Sequence, residues 1–408
     1  MRIAYFVWEY PPRMVGGLGT YASEIVRKFD EMGHEVNVFT LNDGNQFKAS
    51  EKMGTHVHVH RPLIADSSSI FPAFAGDELK GWGDGLKFFS NILTYNVLSA
   101  NKYVNEVAEK WHADIAICHD WLSAIGGATV RNSTDIPLVF HVHSTEHGRS
   151  GGKGSSTVRT LEYMTAQQAD LVITVSHAMH GELNYLNFPA QKTRVVWNGV
   201  DEKKYDPHTF PEAATAGYRE GLGVPRGAKL IAFTGRLTWV KGIDTLVRAM
   251  PAIVAKVPGT KLAVLGTGEM YEQLAEEARR LGLQDNIIFL NRWVEEAERM
   301  LLYASADLVC APSRYEPFGI VALEGMSMEK PVLVGNGGLR EAVIEGETGV
   351  YCDPNSPANL AEQALKVLTD DSFARRLGEN GRKRVLDNFT WDKVARDTIS
   401  LYEEIAKK

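Results

Sequence analysis

Short apolar runs recur along the chain at residues 2–7, 35–40, 115–118, 138–141 and 171–175, and again at 230–234, 261–265, 287–290, 308–310 and 332–334. They lack the strict polar–apolar alternation of a sheet with one wet face, so they predict strands covered on both sides. Patterns with helical spacing lie between most of them, for example at 21–32 and 271–281. Strand–helix alternation of this kind predicts right-handed βαβ units in parallel sheets.

The pattern runs twice. The first series ends near Val195-Val196-Trp197, and a polar, breaker-rich stretch follows at 198–228, with Asp206-Pro207, Pro211 and the Gly and Pro residues of 221–225. A new strand begins at once. The expected organisation is an N-terminal Rossmann-like domain over 1–198, a C-terminal one over 199–388, and a last helix over 389–408, with Thr390 as a candidate N-cap, packing back on the first domain. Ligands of doubly wound sheets bind beyond the C-terminal ends of the strands, so the residues just after each strand carry the candidate chemistry. Residues 42–85 are the least regular stretch. The aromatics Phe71, Phe74, Trp82, Phe88, Phe89 and Tyr95 read mainly as core, with a sugar-stacking platform as the alternative.

Composition narrows the classes. Of 408 residues, 44% are apolar and 23% charged, which excludes a disordered or fibrous chain. The formal net charge of -7 argues against a protein that wraps nucleic acid or docks on anionic membrane. No run reaches the ~20 apolar residues of a membrane span. The start of the chain is too short in apolar residues for a signal peptide and meets Glu9 and Pro11-Pro12. Cys118, Cys310 and Cys352 lie far apart without a CxxC pair, which fits buried thiols in a reducing, cytoplasmic setting.

Three motifs follow strands. Gly16-Gly17-Leu18-Gly19 opens the first helix, where backbone N–H groups suit a phosphate. Gly17-x-Gly19-x-x-Ala22 also matches a dinucleotide fingerprint, with Asp43 as its ribose acid. The long connection through Pro11-Pro12 departs from the tight turn that fingerprint needs. Gly235-Arg236-Leu237-Thr238-Trp239-Val240-Lys241-Gly242 places an arginine fork and a lysine point charge around one short loop. Glu316-Pro317-Phe318-Gly319-Ile320-Val321-Ala322-Leu323-Glu324 sets one carboxylate in a loop and one on the helix that Gly319 starts, a pair suited to sugar and ribose hydroxyls.

With Asn198-Gly199-Val200-Asp201, Ala304-Ser305-Ala306-Asp307 and Phe389-x-Trp391, the ordered set resembles the retaining glycosyltransferases of family 4, with echoes of the family 5 glycogen and starch synthases. The resemblance spans nearly the whole chain. It implies the GT-B fold, two doubly wound Rossmann-like domains facing a central cleft, an acceptor-side domain first and a nucleotide-sugar-binding domain second. Arg236 and Lys241 match the pair that binds the pyrophosphate of the donor. Glu316 matches the acid on the donor sugar, Glu324 the acid on the ribose, and Gly319 and Ile320 the backbone donors to the nucleotide sugar. Gly17, Leu18 and Gly19 would touch the diphosphate, and Trp293 would stack on the base. His143 matches the histidine near the anomeric carbon. His119-Asp120-Trp121 resembles the synthases' His-Asp-Trp, whose Asp120 equivalent lies near the acceptor. Met14 stands where family 5 carries a lysine, a departure that favours family 4.

The implied reaction moves glucose from ADP- or UDP-glucose to an α-glucan with retention, by front-side attack and without a covalent intermediate or a metal ion. Domain closure would assemble the site. No D-x-D is present. A metal cluster of His141, His143 and His147 is the alternative weighed against this, with His141 read as core. The alternative acceptors are a lipid, a cell-wall glycan or a small sugar, including α-maltose-1-phosphate synthesis. An NAD-linked oxidoreductase, an epimerase and a sugar-nucleotide sensor are the other classes. Base, sugar, acceptor and oligomeric state stay open at this level.

Overall fold

The computed structural model describes residues 1–407. They form two compact units, Met1–Trp197 joined by the segment from Trp391 onward, and Asn198–Thr390. The first unit holds an eight-stranded sheet of β1 (Arg2–Phe6), β2 (Glu35–Phe39), β3 (Ser50–Lys52), β4 (Val57–His60), β5 (Ile115–His119), β6 (Leu138–Val142), β7 (Leu171–Thr174) and β8 (Thr193–Val195). Its order is β3-β4-β2-β1-β5-β6-β7-β8. All neighbours are parallel except β3, which runs antiparallel to β4. The second unit holds six parallel strands, β9 (Leu230–Thr234), β10 (Lys261–Leu265), β11 (Ile287–Leu290), β12 (Leu308–Ala311), β13 (Val332–Val334) and β14 (Val350–Tyr351), ordered β11-β10-β9-β12-β13-β14.

The central strands are buried along their length, as helices on both faces require. Two features depart from the sequence expectation. The irregular stretch 42–85 contains β3 and β4. Val57-His58-Val59-His60 hides a strand because its histidines make an apolar run read as polar; Val57, Val59 and His60 are buried. The breaker-rich stretch 198–228 contains the helix Glu212–Gly221, whose Glu-Ala-Ala-Thr-Ala run is a good helix former despite the flanking Pro211 and Gly223.

The chain returns to the first unit through the helix Trp391–Ala406. Trp391, Val394, Ile399 and Tyr402 join one core with Tyr5, Tyr21, Ile25 and Phe29. Lys28 Nζ closes the seam on Asp392 at 2.9 Å. All three cysteines are buried free thiols, and burial pushes their ionisation well above the ordinary thiol range. Among the described residues no helix is long and apolar enough to cross a membrane.

Of the aromatics, Tyr95 and Phe89 are core, Phe89 stacks on Trp121, and Phe74 is 83% exposed. Tyr95 donates its hydroxyl to Phe39 O at 3.0 Å.

Candidate active site

Each sheet has one strand at which the chain order turns around. In the first unit β1 lies between β2 and β5; in the second β9 lies between β10 and β12. The loops leaving the C-terminal ends of those strands diverge and open a crevice for a ligand. All but one of the candidate residues lie in the loops, or in the helices those loops lead into, that follow the switch strands or the strands one or two places beyond them. Gly17, Leu18 and Gly19 follow β1, Asp120 follows β5 and His143 follows β6; Arg236 and Lys241 follow β9, and Glu316, Gly319, Ile320 and Glu324 follow β12. Trp293 is the exception: it follows the edge strand β11 and is 73% exposed.

In the second unit the two loops are latched together by Arg314, a residue the sequence motifs did not single out. Its guanidinium grips Asp244 through two bonds, Nη1 to Oδ1 at 2.7 Å and Nη2 to Oδ2 at 2.9 Å. It also donates to Trp239 O, Thr245 Oγ1 and Asn355 Oδ1, and stacks over the Trp239 ring at 4.8 Å. The backbone of Arg314 donates to Val240 O at 2.8 Å. The latch needs close approach. Gly242 sits at φ +68°, and a Cβ there would lie 1.9 Å from Pro312 O. The only sequence signal was an arginine two residues before Glu316 and an aspartate two after Gly242.

The latch brings Lys241 onto Glu316. Nζ lies 2.6 Å from Oε2, and Ser313 Oγ donates to the same oxygen at 3.1 Å. Arg236 differs: it is exposed and has no side-chain partner among the described residues. Gly319 begins the helix Ile320–Ser327 at φ +92°, where a Cβ would meet Leu339 Cδ2 at 2.3 Å. Glu324 is 5% exposed and already accepts from the Tyr303 hydroxyl at 2.7 Å and pairs with Arg299 at 3.3 Å. The two carboxylates therefore have different surroundings, one in a loop beside a lysine and one in a buried cluster.

In the first unit the glycine loop carries an internal anion. Glu9 Oε2 accepts the N–H groups of Val15 at 2.6 Å and Gly16 at 3.1 Å. Burial raises the Glu9 carboxyl above its ordinary value, and those two bonds oppose the rise. Two of the N–H groups that precede the first helix are thus already used, which the glycine pattern alone does not reveal.

Asp120 and His143 do meet. Asp120 opens the helix Asp120–Ser133 at φ +49°, a left-handed conformation rare for a non-glycine residue. That geometry aims Oδ1 at the backbone N–H of His143, 2.7 Å away, and of Ser144 at 3.3 Å. Burial pushes the Asp120 carboxyl up to about 6, although nearby Arg149 and these two bonds pull it down. Protonation below that value removes the charged acceptor that holds the His143 main chain. A kcat/KM profile is therefore expected to fall on the acid side with an apparent pKa near 6. In Asp120→Asn this limb should vanish while the plateau drops; an unchanged acid limb in that variant would refute the assignment.

Beside Asp120 lies an ionic cluster of the buried Glu162 with the half-buried Arg149 and Glu146. Arg149 reaches Glu146 at 3.3 Å, Glu162 at 3.4 Å and the Ser144 carbonyl at 3.3 Å, and Glu162 Oε1 accepts the Glu146 N–H at 2.9 Å. Burial raises the Glu162 carboxyl to about 8, more than Arg149 lowers it. A folded-state value above the unfolded 4.5 means that the folded chain holds this proton more tightly. Its contribution is full below about pH 4.5 and is lost as pH rises through about 8. Glu162→Gln, which cannot ionise, is expected to flatten the fall of Tm between pH 5 and 8; a slope equal to that of the parent protein would contradict this.

The histidines group differently from the expectation. The third partner of His141 and His143 is His119, not His147. His119 and His141 are paired across β5 and β6, and His143 is two residues on, on the same face. Their ring nitrogens lie within 4.8 Å of one another. His147 instead faces Tyr185, with ring centroids 5.8 Å apart. His141 is buried within β6, as its place in the apolar run implied. A trio of this kind can hold a metal ion. Here His119 Nδ1 and His143 Nε2 bond each other at 3.0 Å and His141 Nε2 bonds the Tyr402 hydroxyl at 2.7 Å.

Two parallel-sheet Rossmann-like units with candidate residues at their switch points define a GT-B protein. Residues 15–204 match the model for Glycosyltransferase Family 4 and residues 216–384 that for Glycosyl transferases group 1. The chain is 33% identical to an uncharacterized glycosyltransferase of Methanocaldococcus jannaschii, over 99% of this chain and 98% of that protein. It is 30% identical to a glycogen synthase of Mycobacterium tuberculosis, over 98% and 94%. It is 28% identical to an alpha-maltose-1-phosphate synthase of Mycolicibacterium smegmatis, over the full length of both. Among solved structures, a sucrose-phosphate synthase of Thermosynechococcus elongatus superposes with a TM-score of 0.78 at 24% identity, covering 99% of this chain and 98% of the other. An Anabaena protein in complex with UDP-glucose superposes at 0.75 with 20% identity, covering 99% and 100%. The chain belongs to the family 4 glycosyltransferases, and it is a hexosyltransferase enzyme.

Proposed function

We propose that this enzyme transfers glucose from ADP-glucose or UDP-glucose to an α-glucan, with retention at the anomeric carbon. The observation that carries the reading is the cationic corner after β9: Arg236, exposed and without a side-chain partner among the described residues, and Lys241 held beside Glu316 by the Arg314 latch. Positive charge fixed in advance stabilises a departing diphosphate as its charge develops, without reorganisation at the moment of reaction. The UDP-glucose complex of the Anabaena protein supports a nucleotide-sugar donor. The glycogen synthase similarity, with His119-Asp120-Trp121, supports the glucan.

In this reading Arg236 and Lys241 bind the diphosphate, the ligand that the family likeness also implies for Gly17, Leu18 and Gly19. Glu316 orients the sugar hydroxyls. Gly319 and Ile320 donate backbone N–H groups to the donor. Glu324, whose carboxylate has lone pairs to spare beyond Tyr303 and Arg299, takes the ribose, and Trp293 stacks on the base. Asp120 serves the acceptor, and His143 stands at the anomeric carbon. The leaving phosphate takes the acceptor's proton, so the reaction proceeds on the front face without a covalent intermediate and without a metal ion. Three unpaired cysteines suit a cytoplasmic enzyme.

The test is diphosphate release from a panel of NDP-sugars, with and without glycogen, maltose and glucose 1-phosphate. Release from one NDP-glucose that rises with glycogen, persists in EDTA and is lost in Glu316→Ala is the expected result. An α-linked product from the α-linked donor establishes retention. Stimulation by glucose 1-phosphate alone would favour α-maltose-1-phosphate synthesis, the second reading, which the full-length similarity to that synthase supports. Donor binding without release would point to a different family 4 acceptor.

A further inference from the structure

We propose that His119, backed by His141 and Tyr402, is a positioning residue that holds the His143 ring in one tautomer, with Nε2 as acceptor and the proton on Nδ1. The proposal rests on the reading that puts His143 at the reacting carbon.

The three rings form a stack that the sheet itself builds. His119 closes β5, His141 lies opposite it in β6, and His143 follows on the same face. Ring centroids are 4.8 Å apart for His119 and His141, 5.2 Å for His119 and His143, and 6.0 Å for His141 and His143. Tyr21 closes on the edge of His143 at 4.5 Å, and Tyr5 lies 4.5 Å from His119. One polar contact joins the stack to the outer ring: His119 Nδ1 and His143 Nε2, 3.0 Å apart. Of these two nitrogens one carries the shared proton.

The far side of His119 decides which. His119 Nε2 is buried and has no hydrogen-bond partner among the described residues. Desolvation keeps all three rings neutral, with His143 pushed down to about 3 and the other two well below the ordinary value. A neutral ring has a single N–H. If His143 donated, the proton of His119 would sit on Nε2, as a buried N–H with nothing to receive it, the costlier kind of orphan. If His119 Nδ1–H donates, Nε2 presents only a lone pair, the less rare kind of orphan. His143 Nε2 then accepts, and its own proton sits on Nδ1, free to donate to an oxygen of the substrate. His143 is thereby a neutral hydrogen-bond donor and not a base acting through Nε2.

Tyr402 anchors the arrangement from the returning helix Trp391–Ala406. Its hydroxyl bonds His141 Nε2 at 2.7 Å, both groups being buried. The last helix of the chain, reached only after the whole second unit, thus reaches the layer directly under the His143 ring.

Two readouts test this. In the two-bond ¹H–¹⁵N spectrum of histidine-labelled protein, His143, assigned by its absence from His143→Ala, is expected with its proton on Nδ1. A proton on Nε2 overturns the proposal whether or not the enzyme turns over. In kinetics, His119→Leu is expected to lower kcat about 10–100-fold with the donor KM within about 2-fold, the range a slightly misplaced catalytic group produces. His119→Asn, which keeps an amide donor near the Nδ1 position, should recover most of that loss, and Tyr402→Phe should cost about 3–10-fold. Wild-type kcat in His119→Leu with an inactive His143→Ala overturns the positioning role alone. Full activity in His143→Ala overturns the site reading beneath it. If His119→Leu does not fold, His119→Asn and Tyr402→Phe carry the same comparison.

Discussion

Replacing Arg236 with alanine is expected to lower kcat/KM for the donor by about 10²–10³-fold, as the loss of one donor aimed at developing charge does, while leaving the fold untouched. The two halves of this expectation come from the same observation. Arg236 is exposed and has no side-chain partner among the described residues, so nothing in the folded protein depends on its guanidinium. Surface changes of that kind stay within about 0.5 kcal/mol, or roughly 1–2 °C in Tm for a unit of this size. A planar, permanently charged fork standing free after a central strand has a use only when a ligand arrives. Lys241→Ala should lose a comparable factor in turnover but with a different signature. It also removes the partner of Glu316 Oε2, leaving that carboxylate to Ser313 alone. Its KM and kcat should therefore move together, while Arg236→Lys, which keeps charge but not the fork, should recover only part of the loss. Steady-state kinetics beside a thermal melt checks both. Near-parent turnover in Arg236→Ala would remove the diphosphate role and with it the main support for the proposed function.

Arg314→Met is expected to do the reverse, destabilising first and impairing activity as a consequence. The Arg314 guanidinium and Asp244 are each less than one-tenth exposed, and the pair is bidentate. Breaking a buried pair by removing one partner costs up to about 3–5 kcal/mol, and here Arg248 Nη1, 3.2 Å from Asp244 Oδ2, compensates only part of the remaining charge. Three further acceptors, Trp239 O, Thr245 Oγ1 and Asn355 Oδ1, lose their donor at the same time. For a unit of this size the loss corresponds to a Tm lower by roughly 10 °C. Lysine cannot rescue it, since one ammonium cannot serve both Asp244 oxygens in a fork. A double variant, Arg314→Met with Asp244→Leu, should recover much of the stability by removing the stranded charge, yet not the activity, because the loop that carries Lys241 would still be unlatched. Calorimetry and kinetics on the single and double variants separate the two effects. A single variant melting within 2 °C of the parent would show that the latch does not hold the loop.

Much of the architecture was readable before any coordinates. Contiguous apolar runs mark strands buried on both faces, because such strands need no polar side, and ten of the fourteen strands stand in that form. Where burial is one-sided or the strand is short, the signal fails. β3 is an edge strand of the first sheet with β4 as its neighbour, and β14, only two residues long, lies at an edge of the second. Candidate residues were legible for the same reason. Parallel strands all deliver their C-terminal loops to one edge of the sheet, so polar residues directly after strands are the ones a ligand meets. The ordered motifs around Gly17, Arg236 and Glu316 needed only that rule and the likeness to family 4.

The repeated βαβ pattern, the family and the short list of residues after each strand are thus written in the order of residues along the chain. What each of those residues faces is set by the folded molecule. Glu9 lies eight residues before Gly17 and reads as an ordinary acid, yet its carboxylate fills the N–H groups ahead of the glycine loop. Arg314 and Asp244 are seventy positions apart, and His141 and Tyr402 are 261 positions apart. Local propensity and spacing act over one or two turns of chain, whereas these contacts are set by strand order and by the path of the last helix. Burial then changes the chemistry of the groups themselves. It lifts Asp120 to about 6 and keeps His143 neutral, and neither follows from residue identity, because desolvation is a property of the surroundings and not of the side chain.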